Sequence, residues 1–198
     1  MIPIFGVLGA LLTKSISKNV EEERVNAEMD RIVNRYNGSK YNTQQLMVST
    51  LTQIGCQPTV NDDDTVSVTY QGEHFHIDFA GLYARIWDLG WAGVNVNDPD
   101  LPKIREAVNH TNIGSCPTVV WSDPDDEGAI YLHSRLDILL FPDIPEIDNY
   151  LRSNLNSFFG TKEEVRKAFQ QITVEQQRAR ERRRPIGFNT TVEPTDSD

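Results

Sequence analysis

The most chemically suggestive spacing in this sequence is His74-x-His76-x-Asp78. Two imidazoles and a carboxylate are a legitimate ligand set for zinc or iron, and the two-residue period of a strand would put all three on one face. On that reading the chain is a metal-dependent enzyme, and His133 is the ligand that a neighbouring strand could add. Against it, side chains spaced along one strand splay apart, whereas metal sites draw ligands from more than one element. The ordinary reading is a polar face turned to solvent or to a partner. Two acidic stretches, Asn61-Asp62-Asp63-Asp64 and Asp123-Pro124-Asp125-Asp126-Glu127-Gly128, also invite a divalent cation. Turn chemistry explains both, and a calcium loop would need its Gly and its distant bidentate Glu. Nucleophilic catalysis has less support: neither Cys56 nor Cys116 has a recognisable neighbouring base, and there is no Gly-x-Ser-x-Gly elbow or phosphate-cradling Gly loop. The sequence therefore predicts no catalytic residue, no cofactor and no bound metal.

Charge narrows the choice of partner. The 19 Lys+Arg against 29 Asp+Glu give a net charge of −10, which argues against a general affinity for DNA, RNA or anionic lipid. The local exception is Arg178, Arg180, Arg182, Arg183 and Arg184. An Arg-rich helix end could touch nucleic acid, with strongly salt-dependent retention as its signature. Cations at a helix C-terminus also complement the macrodipole and stay hydrated, which is the simpler reading. Cys56 and Cys116 lie far apart with no metal-type spacing; small apolar fillers in a reducing compartment, or a single bridge, account for them.

The residues named first belong to a stretch, Thr65 to Asp88, whose alternation predicts three consecutive antiparallel strands. Val66, Val68 and Tyr70, then Phe75, Ile77 and Phe79, form one set. Ser67, Thr69, His74, His76 and Asp78 form the other. Gln71-Gly72 and Ala80-Gly81 supply the reversals. Pro58 and Asn61 to Asp64 read as a loop before this meander, and Leu89 to Gly93 as an irregular connection after it. Thr118 to Ser122 and Ala129 to about Leu140 read as a fourth and fifth strand joined by the acidic turn.

Helices are expected over 14–36, on the stripe Val25, Met29, Ile32, Val33 and Tyr36, and from Asn42 or Thr43 to Gly55, presenting Met47, Val48, Leu51 and Ile54. Asp100 is expected to cap a third, with Leu101, Ile104, Ala107, Val108 and Thr111 inward. A fourth carries Ile144, Ile147, Leu151, Leu155 and Phe158 and closes at Gly160; a fifth opens at a Thr161/Glu164 capping box and buries Val165, Ala168 or Phe169, and Ile172. The order α-β-β-β-α-β-β-α predicts an α+β fold: a five-stranded antiparallel sheet with helices covering one face, plus N- and C-terminal helical extensions. Residues 1–40 are the N-terminal extension, 41–175 the α+β domain, and 176–198 an Arg-rich helix end with a disordered tail.

Met1 to Leu12 carries no charge, lacks a basic segment ahead of it and a small-x-small cleavage site after it, and so argues against a secretory signal. It is also shorter than the roughly 20 residues that cross a bilayer. A helix packed on the domain, a membrane-surface anchor and a helix offered to a partner all fit it. The expected location is cytoplasmic.

Leu51-Thr52-Gln53-Ile54-Gly55-Cys56, the strand-turn-strand from Val66 to Phe75, Ala107-Val108-Asn109-His110-Thr111-Asn112 and the run Leu151 to Phe159 carry a likeness. Through them the chain, from about Asn42 to Ile172, resembles the YbjN-like bacterial domain, which is similar in fold to the secretion chaperones of type III systems. The resemblance implies a small non-enzymatic protein-binding domain, commonly dimeric among the chaperone relatives, without a cofactor. It brings no catalytic residues. The apolar N-terminal segment and the Arg-rich end depart from the pattern.

If the alternation holds, His74, His76, Tyr83, Arg85, Trp87, Tyr131, His133 and Arg135 all point away from the helices. Aromatic and Arg residues dominate interface energetics, so this set is the predicted face for a protein partner or a homodimer. The competing expectation is that the N-terminal helix, or the connection around Trp91, covers Tyr83 and Trp87.

Overall fold

A computed structural model of the chain describes residues 23–28, 30–31 and 43–183. Residues 23–28 and 30–31 are helical; the expectations for Met1 to Leu12, for most of the 14–36 helix, for the Asn42 cap and for the tail beyond Arg183 lie outside the described residues. The domain runs α1 (Thr43–Gln53), β1 (Thr59–Val60), β2 (Val66–Tyr70), β3 (Glu73–Ala80), β4 (Tyr83–Asn95), α2 (Leu101–Gly114), β5 (Thr118–Trp121), β6 (Ala129–Leu139) and α3 (Ile147–Arg183). Among the described residues it is an α+β fold built on an open antiparallel sheet of six strands in the order β1-β2-β3-β4-β6-β5.

The sixth strand corrects the expectation of five. β1 has only two residues, Thr59 opposite Ser67 and Val60 opposite Val66, too few to show an alternation; backbone pairing alone defines it. β2 and β3 close through Gln71 and Gly72, both at positive φ (50° and 88°), the pattern of a two-residue hairpin whose twist matches its strands. β4 does not stop at Asp88. It continues to Asn95 through a bulge in which Leu89, Gly90 and Trp91 lie opposite the single residue His133 of β6. Gly90 sits at φ 64°, where a side chain would be strained. An even number of extra residues keeps the facing intact, so Ala84, Ile86, Asp88, Ala92 and Val94 stay in register with Ile138, Leu136, Ser134, Leu132 and Ile130.

The alternation buries one face as expected. Val66, Val68, Tyr70, Phe75, Ile77, Ala84, Ile86 and Ile138 form one cluster with Met47 and Leu51 of α1 and Leu155 and Phe158 of α3. Phe75 and Phe158 meet edge to face, ring centroids 5.1 Å apart, a geometry worth about 0.5–1.5 kcal/mol beyond the area it buries. Beside it lies a second cluster, in which Val94, Ile130, Leu132 and Val119 pack against Leu101 and Val108 of α2 and Val165 of α3.

α3 differs most from expectation. It is one continuous helix of 37 residues, not two separated at Gly160. Thr161 does not cap: it is buried inside the helix, and Glu164 instead pairs with Lys167 at 3.0 Å. Gly160 is a helix breaker only when nothing compensates. Here Phe158, Thr161, Lys162 and Val165 are all buried within the domain, and that burial outweighs a propensity cost of about 1 kcal/mol. Asp100 likewise makes no side-chain cap; its carboxylate pairs with Lys103. Cys56 and Cys116 are both free; Cys56 is half-buried against the first cluster, whereas Cys116 is exposed and fills no core.

At the junction of the two clusters, Lys162 of α3 reaches into the sheet. Its side chain is 5% exposed, and its Nζ lies 2.7 Å from Asp88 Oδ2 and 3.0 Å from Glu73 Oε2. The same ammonium faces the rings of Trp91 and Phe159 at 5.9 and 6.0 Å. Burial pushes the Asp88 carboxyl above the usual carboxylate range, against the opposing pull of Lys162.

Two measurements follow from this architecture. A Cβ at Gly160 would meet nothing within 4 Å, so Gly160→Ala is expected to raise the urea midpoint, stabilising the fold by about 0.5–1 kcal/mol; an unchanged or lower midpoint would contradict the continuous helix. Lys162→Met, which strands a buried carboxylate, is expected to cost about 3–5 kcal/mol, whereas the double change Lys162→Met with Asp88→Leu restores most of that loss. Equal destabilisation of the single and double variants would show that the pair is not coupled.

Candidate functional site

The face opposite the helices contributes no residue to either buried cluster. Strand register aligns one row across it: Thr59, Ser67, His76, Trp87, Arg135 and Thr118, one residue from each strand. A second row sets Asp78, Arg85 and Asp137 side by side. Every residue of the predicted face lies on this side, because period two carries the facing along each strand and the β4 bulge preserves it.

The centre of the face is a connected lattice. Trp87 Nε1–H donates to Asp78 Oδ2 at 3.0 Å, which fixes the half-buried indole. The Arg135 guanidinium lies over the indole ring, 5.8 Å from its centroid, within the range of a cation–π contact. Arg85 grips Asp137 with two donors, Nε at 2.8 Å and a terminal nitrogen at 3.3 Å, and Arg135 Nε lies 3.8 Å from the same carboxylate. That hydrogen bond from Arg85 holds the Asp137 carboxyl below the usual range and pushes the Arg85 guanidinium up. These charges are about two-fifths exposed, so they orient the side chains more than they stabilise the fold.

The ends of the face are more open. Tyr83 is 46% exposed and Tyr131 40% exposed. Tyr131 lies across Gly93: a Cβ there would come within 3.3 Å of its ring. Its hydroxyl donates to Asp125 Oδ2 at 3.2 Å, a bond that pushes the phenol pKa up. Asp125 also accepts the amides of Glu127 and Ala129, which hold its carboxyl low and account for the acidic turn as turn chemistry. In the same way Asp63 accepts from the Thr65 amide and hydroxyl.

Three of the predicted residues stand apart. His74 Nδ1 pairs with Thr69 Oγ1 at 2.9 Å, and His133 Nδ1 accepts the Gly90 N–H at 2.9 Å, holding the β4 bulge closed. Tyr83 sits at the start of β4, away from the central lattice. The metal reading of His74, His76 and Asp78 finds no convergence: Asp78 is engaged by Trp87, His133 by the bulge, and among the described residues no group of three or more His, Cys, Asp or Glu is placed to hold an ion.

Trp91 does not cover this face. Its indole turns to the helix side, where Nε1–H donates to Ser134 Oγ at 3.0 Å. Arg178, Arg180 and Arg182 are exposed on the last turns of α3. Among the described residues no helix is long and apolar enough to cross a membrane. Sequence reasoning missed Lys162 and the role of Asp88. The signal was present: Asp88 continues the inward set Ala84, Ile86, and Lys162 falls on the stripe Leu155, Phe158, Val165. Opposite charges at two inward positions were a pair to be matched.

No family model matches the sequence, and no curated protein matches it. Among solved structures the chain is similar to an uncharacterized protein from Methanothermobacter thermautotrophicus, with a TM-score of 0.40 and 15% identity, covering 66% of this chain and 98% of that one. It is also similar to YbjN from E. coli, with a TM-score of 0.39 and 10% identity, covering 66% of this chain and 90% of that one. These likenesses concern the fold and bring no residue, ligand or partner to the present chain.

Proposed function

We propose that the chain is a non-enzymatic protein-binding module, chaperone-like or adaptor-like, that works in the cytoplasm and engages a protein partner or a second copy of itself through the open sheet face. The observation that carries this reading is the Trp87 lattice: an aromatic side chain held by Asp78, overlaid by Arg135, and flanked by Arg85 paired to Asp137. Trp, Tyr and Arg are the side chains that supply most interface energy. Holding them in place before contact reduces the ordering cost of binding.

The local charges support a protein partner. Arg85 and Arg135 stand against Asp78 and Asp137, so the centre of the face is close to neutral in a chain of net charge −10. A neutral, aromatic centre suits contact with another polypeptide better than with a polyanion, which requires many unpaired cations. The YbjN-like resemblance read from the sequence points the same way.

Trp87→Ala is expected to weaken association by about thirtyfold, as truncation of a central anchor does, and Tyr131→Ala by about tenfold. Sedimentation and a pull-down from the native cell measure this, with near-UV circular dichroism confirming that each variant is folded. Unchanged association in both folded variants would remove the face from the proposal. Stoichiometric zinc or iron in protein purified without an affinity tag would instead favour the metal-dependent reading of His74, His76 and Asp78.

A further inference from the structure

Among the described residues β5 is the outermost strand on its side of the sheet, so half of its backbone groups have no strand there to pair with. In its register with β6, Val119 lies opposite Ser134 and Val120 opposite His133. The Ser122 N–H donates to Tyr131 O at 2.9 Å. Antiparallel pairs alternate, so Ser122, Val120 and Thr118 face β6 with their backbone groups, while those of Val119 and Trp121 point outward. Such a row is a template for a strand of another chain.

At Val119 the template is filled. Asn112 Nδ2 donates to Val119 O at 3.0 Å, and the Val119 N–H donates to Asn112 Oδ1 at 2.8 Å. A primary amide carries a donor and an acceptor side by side, which is what a neighbouring strand would present there. Asn112 is aimed by α2, whose Val108 and Thr111 are buried, just before the chain turns into β5. The opposite edge is blunted by other means: β1 has two residues, and Pro58 before it offers no N–H to a strand added outside it.

We infer that Asn112 stands in for a seventh strand and keeps β5 from pairing edge to edge with β5 of a second copy. This goes beyond the open-face reading and does not depend on it.

Sedimentation of Asn112→Ala over a range of concentrations tests the inference, with near-UV circular dichroism to establish folding and amide exchange read at Val119. The variant is expected to grow in mass with concentration beyond the wild type. Its Val119 amide should exchange roughly tenfold faster when dilute and slow again in the associated form. Adding Val119→Pro, which removes the outward N–H from the same edge and leaves the open face untouched, is expected to return the mass to that of wild type. A folded Asn112→Ala protein with wild-type mass at every concentration overturns the inference, as does added association that survives Val119→Pro. Should the alanine variant fail to fold, Asn112→Asp, which keeps an acceptor for the Val119 amide but lacks a donor for its carbonyl, carries the same comparison. Trp87→Ala and Tyr131→Ala keep the two proposals separate: if they leave wild-type association unchanged, the open-face reading falls while the Asn112 comparison stands.

Discussion

The ammonium of Lys162, held between Asp88 and Glu73, is the point on which the two halves of this domain meet. A buried ion pair adds little net stability, because desolvation offsets the attraction. What it constrains is geometry. Rotating α3 by one residue, about 100°, would carry Lys162 out of the sheet and leave Asp88 buried without its cation. The helix is therefore fixed in both rotation and position. Its first half packs Leu151, Leu155 and Phe158 on one cluster, and Val165 reaches the other. The β4 bulge begins directly after Asp88, and Trp91 within it faces the same ammonium.

That inner arrangement decides the outer one. In a strand, whatever fixes one set of side chains fixes the alternate set, so the burial of Ile86 and Asp88 is what turns Trp87 outward. The bulge lets β4 reach Asn95 without exchanging the two faces. His133, on the open side, holds that bulge through Gly90, while Ser134, on the covered side, holds it through Trp91. The polar residues around Trp87 are paired among themselves, so the indole is presented at a defined orientation and not left to search rotamers. Of the histidines that resembled metal ligands, His74 pairs with Thr69 and His133 accepts a backbone amide of the bulge.

An open sheet has two liabilities, its edges and its uncovered face. The edges here are short: Pro58, which has no N–H, precedes β1 on one side, and Asn112 takes up the outward groups of Val119 on the other. Among the described residues no element covers the face, and its centre is aromatic. That asymmetry is the physical basis for the proposal that association uses the face.

Local information settled much of this. Alternation in Thr65 to Asp88 determined which side of each strand is covered, since period two needs no tertiary knowledge, and every candidate face residue landed where that period put it. Glycines at reversals, the amphipathic stripes of α1 and α2 and the acidic turns were legible for the same reason. Tertiary structure alone decided the rest. β1 is too short to carry a pattern, and only pairing with Ser67 and Val66 makes it a strand. Leu89 to Trp91 looked irregular because a bulge breaks the period, and β6 carries the strand through it. Gly160 and a capping-box sequence predicted a helix end, but burial of Thr161, Lys162 and Val165 within the domain exceeded that local preference. The Asn112 clip and the Asp78–Trp87–Arg135 lattice join different elements, and neither periodicity nor propensity shows how those elements meet. Sequence sets which face each residue takes; only the folded sheet sets which residues on that face become neighbours, because neighbourhood depends on strand order and register.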